Sequence, residues 1–292
     1  MLKFISVLLT FIFSLQSHAI YKDLAYQSSL QSTPEQIMNQ VYYVNQFYSF
    51  SHVPFNYQPK GLFTLVKKST YQVSTLQFER YINFEYPGLV KAKDLILFKN
   101  GKMDGTSLLI TDYNDLERDS MVQVWMPELR KVRRVSQNHD NDLWMGSAFT
   151  HGDMKNRKPY HESHELLGTE TYTNCAKGMS EVPCISQNKK VLVVKSIPIA
   201  EYNVNYDYRI SYVDAESYAD YRTEYFRNNQ LVKEVEKNWL PVGLPMPRAL
   251  IFSHWYVKDF NRGTESLLMM QPLKKETTPD MFTEAFLRKS HR

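Results

Sequence analysis

Tyr221-Arg-Thr-Glu-Tyr-Phe-Arg-Asn-Asn-Gln-Leu-Val-Lys-Glu-Val235 decides the fold class. Residues 221–226 and 231–235 are rich in the aromatic and β-branched side chains that suit strands, and Asn228-Asn229 between them signals a tight turn. The same grammar continues outward. Upstream lie strand-like segments at 206–213 and 191–199. Further back, residues 71–83 alternate, with Gln72, Ser74, Leu76, Phe78 and Arg80 on one side. The short apolar run 94–98 ends at Asn100-Gly101, a hairpin signal, and residues 108–111, 122–126 and 131–135 follow. Short strands separated by turn signals predict an antiparallel meander, hence a mainly β chain of the α+β class.

One helix stands ahead of these strands. Thr33 caps, Pro34 suits the first helical position, and Gln36 completes a capping box. Ile37, Val41, Val44 and Tyr48 recur at helical spacing, which predicts an amphipathic helix over 34–48. The two prolines in 53–60 mark a linker.

The N-terminus reads as an export signal. Lys3 supplies the charge, residues 4–15 are almost wholly apolar, and Ser17-His18-Ala19 is a cleavage site, placing the cut between Ala19 and Ile20. The apolar run is too short to cross about 30 Å of hydrocarbon, which takes roughly 20 helical residues. The expected organisation is a signal peptide at 1–19, a helix and linker at 20–60, and one β domain at 61–292.

Composition agrees with export and excludes some functions. The net charge of +4 does not indicate nucleic acid as a partner. Twenty Tyr and 16 Phe suit a half-buried sheet or an apolar cavity with a wet mouth. The two cysteines, Cys175 and Cys184, flank a loop rich in turn formers, and an oxidising compartment should join them. Neither a Gly-x-Ser-x-Gly elbow nor a phosphate-cradling glycine loop occurs.

Two polar clusters invite a metal reading. Asn138-His139-Asp140-Asn141-Asp142 alternates oxygen ligands, but Leu143 stands at the sixth position and Phe149 at the twelfth of a calcium loop. His161 and His164 are three apart, whereas a helical zinc site needs four, and with His151 and Asp153 they are the sole support for a hydrolase. Solvated polar segments are the expectation for both, with no metal and no cofactor. Arg130-Lys131-Val132-Arg133-Arg134 is the densest basic run, and on a strand Arg133 faces opposite to Arg134. It is a solvated sheet surface, a contact for anionic headgroups, or a docking patch.

Val122-Gln-Val-Trp-Met-Pro-Glu-Leu-Arg-Lys-Val-Arg-Arg-Val135 and Leu143-Trp-Met-Gly-Ser-Ala-Phe-Thr150 carry a family resemblance. They resemble the outer membrane lipoprotein-sorting protein family, LolA-like proteins often linked to exporters of the resistance–nodulation–division type. Gly105-Thr-Ser-Leu-Leu, Leu166-Leu-Gly-Thr-Glu, the unit 212–226 and Met281-Phe-Thr-Glu-Ala-Phe-Leu extend it over roughly 70–290. The chain departs from the family at Ala148, where Asp is usual, and at His151-Gly152. The resemblance implies a strongly curved antiparallel sheet, an unclosed half-barrel with helices over its concave face, whose cavity holds acyl chains. It implies a non-catalytic periplasmic carrier or acceptor of lipid or lipoprotein, working with a membrane transporter. The alternative is an adaptor protein without cargo. Trp125, Trp144, Met145 and Phe149 are the candidate ligand contacts, with 143–149 as a lid, and Arg130, Lys131 and Arg134 the candidate partner or headgroup contacts. Trp125 must face opposite to Val124 and Met126, so one of these two sets looks inward.

Overall fold

The structure, a computed structural model, describes residues 24–115, 117–135 and 139–289. The signal segment, with its Ala19–Ile20 junction, and Asn138 lie outside them. Thirteen strands form one antiparallel sheet: β1 (Lys60–Lys68), β2 (Val73–Asn83), β3 (Val90–Phe98), β4 (Ser107–Tyr113), β5 (Met121–Met126), β6 (Lys131–Val135), β7 (Glu162–Tyr172), β8 (Lys189–Pro198), β9 (Tyr208–Asp214), β10 (Asp220–Arg227), β11 (Gln230–Pro241), β12 (Leu250–Asp259) and β13 (Thr264–Pro272). Their spatial order is β6-β5-β4-β3-β2-β1-β13-β12-β11-β10-β9-β8-β7. Two meanders therefore meet where β1 pairs with β13, and the ends β6 and β7 do not pair with each other. The barrel stays open.

Local chemistry accounts for the hairpins and the first helix. Asn228 and Asn229 both take positive φ, 50° and 58°, as the tight β10–β11 turn requires. Gly101 takes φ 68° in the β3–β4 turn. Helix α1 (Pro34–Asn45) starts at the expected capping box, with the Thr33 hydroxyl accepting from Gln36 N–H and the Gln36 side chain accepting from Thr33 N–H. It ends three residues before the expected limit because Phe47 turns left-handed, φ 57°. That turn sets the Phe47 ring 6.4 Å from Trp239 and 6.0 Å from Phe252.

The crossover from β6 to β7 contains α2 (His151–Lys155), and α3 (Glu284–Lys289) is the last described element. Helices α1 and α2 cover the concave face. Asp153 of α2 pairs with Lys233 at 2.8 Å, and Asn45 of α1 donates to Asp220 at 2.9 Å. Helix α3 covers the other face instead. There Leu287 and Phe282 pack with Tyr81, Leu95, Leu97, Leu109 and Trp125 in a second core. The main core lies on the concave side and includes α1 with both meanders.

Residues 162–165 are strand and not helix. His161 ends a short 3₁₀ turn and His164 lies on β7, so they do not share a helical face. Both His164 nitrogens have partners, Ser196 Oγ and the Pro159 carbonyl, each at 2.9 Å. The His161 ring stacks on Tyr202 at 3.7 Å.

Cys175 and Cys184 form a disulfide with Cα atoms 5.6 Å apart. Their loop lies across the convex face of β11–β13. Lys177 N–H donates to Glu236, Asn238 donates to the Pro183 carbonyl, and Gly178, at φ 111°, has no room for a Cβ against Leu267. Replacing both cysteines by serine is expected to lower stability by about 2–3 kcal/mol on the loop-entropy argument. Urea midpoints of the two proteins measure this, and equal midpoints would count against a stabilising cross-link.

Candidate ligand-binding site

Two cavities open on the concave side. The first, about 470 Å³, lies between β2–β6, α1 and the β6–β7 crossover. Its floor is laid down in cross-strand rows. Phe78 stands at one end, its strand neighbour Phe98 lying outside the lining. In the next row Arg80, Ile96, Leu108 and Val124 are neighbours, and after it Asp94, Ile110, Val122 and Val135, while Ile82 beside Asp94 faces the second cavity. The following row brings Asp112 beside Ala92. The cavity thus runs from Phe78, through aliphatic rows that the Arg80–Asp94 pair interrupts, to a charged end.

Lys91 enters this polar end through a bulge. By alternation it should point to the convex side with Lys93, whose ammonium does so and bonds the Phe282 carbonyl at 3.1 Å. The β3–β4 register shifts between Val90 and Ala92, and bulges re-aim side chains. Lys91 consequently lines the cavity, 2% exposed, with its ammonium 4.2 Å from the Tyr48 ring. Burial pulls its pKa down to about 8 against the raising field of Asp112, and nearby Lys158 lowers it further. Burial likewise raises the Asp112 carboxyl, opposed by a hydrogen bond from Ser120. His161 is drawn down to about 4, first by burial and then by Lys158 and Arg157, so its imidazole is neutral at ordinary pH.

Arg80 and Asp94 form an ion pair at 2.6 Å in the cavity wall. The remaining Asp94 oxygen, Oδ1, is buried with no hydrogen-bond partner among the described residues. The second cavity, about 490 Å³, lies beyond this wall between the 53–61 segment, β12 and β13. Both cavities share Phe47, Phe63, Arg80 and Phe252 as a partition.

The structure separates the four sequence-derived ligand candidates. Trp144 and Met145 line the first cavity. Trp144 is 8% exposed and meets the Phe78 ring edge-on at 5.7 Å. Phe149 is buried against Trp255 and lines neither cavity. Trp125 lies in the second core on the opposite face, and it is Val122 and Val124 that look inward. The 143–149 loop is tied down: Trp144 N–H donates to the Phe149 carbonyl, Ala148 N–H to Ser266 Oγ, and the Lys67 ammonium to the Met145 carbonyl. Met145 and Gly146 turn it through φ 51° and 67°. Arg130, Lys131 and Arg134 are exposed on the β5–β6 hairpin at the sheet edge. No group of three metal-ligating side chains occurs among the described residues. Asp140, from the candidate calcium loop, pairs with Lys155 and Arg157.

The fold defines a class, an open antiparallel half-barrel with a cavity under its helices. A family model described as that of an uncharacterized protein matches residues 91–289, and the chain belongs to that family. Solved structures share the fold at low identity. A DUF1329 family protein from Desulfovibrio piger superposes with a TM-score of 0.64 at 16% identity, over 88% of this chain and 100% of the other. A putative outer membrane lipoprotein-sorting protein domain from Vibrio parahaemolyticus gives 0.61 at 15%, over 84% and 97%. A LolA superfamily protein from Nitrosomonas europaea gives 0.53 at 14%, over 87% and 99%. No curated protein matches the chain in sequence.

Proposed function

We propose that this protein is a non-catalytic periplasmic carrier or acceptor of lipid or lipoprotein acyl chains. The observation that carries the reading is the concave cavity whose floor runs from Phe78, through Ile96, Leu108, Ile110, Val122 and Val124, to a charged end. At roughly 30 Å³ per heavy atom, the share of one water in the liquid, each of the two cavities holds about sixteen carbons. Each methylene withdrawn from water contributes about 0.8 kcal/mol, so such a chain gains on the order of 12 kcal/mol before the costs of ordering it. Shielding alone accounts for the role, and no residue need break or form a bond. Export rests on the 1–19 signal and is in keeping with the disulfide. The likeness to a putative lipoprotein-sorting domain supports the same reading through the fold.

Native mass spectrometry of protein purified gently from its own periplasm tests this. The expected spectrum contains an adduct with the mass of an acylated molecule. An unliganded mass, together with no binding of an added oleoyl probe, would reject the carrier.

The basic hairpin belongs to the same proposal as the contact for a membrane transporter of the resistance–nodulation–division type or for anionic headgroups. Arg130, Lys131 and Arg134 project at the sheet edge beside exposed Met126 and Leu129, on the hairpin whose Val122, Val124 and Val135 line the cavity. Reversing these three charges is expected to slow association with acceptor membranes and to flatten its salt dependence. Transfer rates unchanged at low ionic strength would return the run to a solvated face. The adaptor reading has one observation of its own, the apolar Leu166, Leu167, Ile197 and Ile199 exposed at the β7–β8 edge.

A further inference from the structure

We propose that one rim of the half-barrel is a docking face for an anionic lipid bilayer, built from the four hairpin turns β5–β6, β3–β4, β1–β2 and β12–β13. The inference rests on the carrier reading and names the surface at which cargo is exchanged.

Antiparallel pairing gathers these turns. Lys68 at the end of β1 stands opposite Val73 of β2 and Glu265 of β13. Gln77 of β2 bonds Asn100 of the β3–β4 turn at 2.8 Å, and Trp125 near the end of β5 stands opposite Ser107 at the start of β4. The strand order β6-β5-β4-β3-β2-β1-β13-β12 makes the four turns successive along one rim. The β2–β3 and β4–β5 turns fall at the opposite rim.

The two rims differ in charge. Residues 67–73, 99–106, 126–131 and 258–265 hold eight Lys and Arg against four Asp and Glu. Asp259 is paired with Arg262 at 3.6 Å and Glu265 with Lys258 at 3.8 Å. Lys68, Lys102, Arg130 and Lys131 are all exposed, beside exposed Asp104 and Glu128. At the opposite rim the turn segments 84–89 and 114–120 hold four acidic residues against Arg118 alone. An anionic surface therefore attracts the first set of turns and repels the second, which orients the approach.

Apolar side chains stand among these charges on separate turns. Tyr71 is 97% exposed and Val73 64% at β1–β2, with Met126 and Leu129 exposed at β5–β6 and Phe260 at β12–β13. Side chains spaced singly along a rim enter a headgroup layer one by one, with lysine stems beside them, whereas protein interfaces are built on a continuous apolar core. The rim also adjoins the apolar end of the first cavity. The 143–149 loop, whose Trp144 and Met145 line that cavity, accepts from the Lys67 ammonium at 3.1 Å and donates to Ser266 at 3.0 Å. A bound acyl chain thus has apolar surroundings towards the bilayer and charged ones away from it.

Flotation of the mature chain with phosphatidylcholine vesicles, with and without phosphatidylglycerol, tests the proposal. At about 0.1 M salt, where charges act over about 10 Å, binding to the anionic vesicles is expected to be about tenfold or more tighter, weakening as salt rises. Each basic residue near an anionic surface is worth about fivefold, so Lys68→Glu with Lys102→Glu should reduce binding about tenfold or more. Tyr71→Ser with Phe260→Ser should reduce it several-fold at every salt concentration. Lys274→Glu, just beyond β13 at the opposite rim, should change it by less than about twofold. Equal binding to both kinds of vesicle, or a Lys274→Glu loss as large as that of the lysine pair, would overturn the docking face. So would failure on protein-free vesicles with protease-sensitive binding to native membranes, which gives the rim to a membrane protein. A solution dimer that Tyr71→Ser with Phe260→Ser breaks would give it to a second copy and overturn the bilayer too. A free oleoyl probe, titrated into the same proteins, keeps the two readings apart. Docking that fails while the probe binds overturns the face and leaves the carrier standing. Docking that succeeds without probe binding rejects the carrier and supports the face.

Discussion

Arg209→Met is expected to destabilise the protein by about 3–5 kcal/mol at neutral pH, because it strands a buried carboxylate. Glu162 is 4% exposed at the start of β7. It accepts from Arg209 Nη2 at 2.6 Å, from Arg209 Nε at 3.0 and 3.1 Å, and from Tyr206 Oη at 2.9 Å. Burial alone would raise the Glu162 pKa, but the Arg209 charge and hydrogen bonds hold it below the usual carboxylate range. A carboxyl depressed in the folded state contributes its full stability above the unfolded value, about 4.3, and loses it as pH falls through the folded value. The deficit of Arg209→Met should therefore shrink in acid. The double change Glu162→Leu with Arg209→Met, which leaves no unpaired charge, should recover most of the loss. Urea unfolding at pH 7 and near pH 3 measures all three. A single-variant loss below about 1 kcal/mol would mean that water reaches the Glu162 carboxylate.

Ile110→Asp is expected to weaken binding of an oleoyl probe by more than about 100-fold, since an unpaired carboxylate facing an acyl chain costs several kcal/mol. Ile110 is only partly buried on the cavity floor, so the free protein can hydrate the new charge and the stability change should be small. Trp125→Ala provides the contrast one strand away. Trp125 packs under α3 on the other face, so its loss should cost about 3–5 kcal/mol of stability and leave probe affinity within about twofold. Fluorescence titration beside denaturant melts separates the two effects. If Trp125→Ala abolished binding at a temperature where it remained folded, or Ile110→Asp bound normally, the chain would not lie on this floor.

The features legible in the sequence are those that nearest neighbours decide. The Thr33–Gln36 capping box, the Asn228-Asn229 turn and the Cys175–Cys184 loop each form within a few residues, and each appears in the structure where its residues predict it. Alternation likewise announces β2, while aromatic and β-branched content around the Asn-Asn turn announces β10 and β11. It is silent at β7, where most side chains are exposed on either face and no polar–apolar period exists to read. Strands β12 and β13 also escape notice. They are apolar at consecutive positions, as at Trp255-Tyr256-Val257 and Leu267-Leu268-Met269-Met270, because this part of the sheet is covered on both faces.

Neighbouring residues alone specify a mainly β chain with one capped helix, a short disulfide loop, and the rule that Trp125 and Val124 look opposite ways. Long-range packing sets which of the two looks in. That choice depends on α3, which folds back to cover Trp125 from more than 150 residues away (Gln123 bonds Glu284 at 2.8 Å). The polar end of the cavity belongs wholly to this second kind. Lys91, Asp112 and Lys158 share no spacing or motif, and Lys91 faces inward only because one inserted residue breaks the β3–β4 register. A bulge reverses the direction that alternation assigns, and nothing in the local sequence marks it, because its position is set by how two distant strands pair.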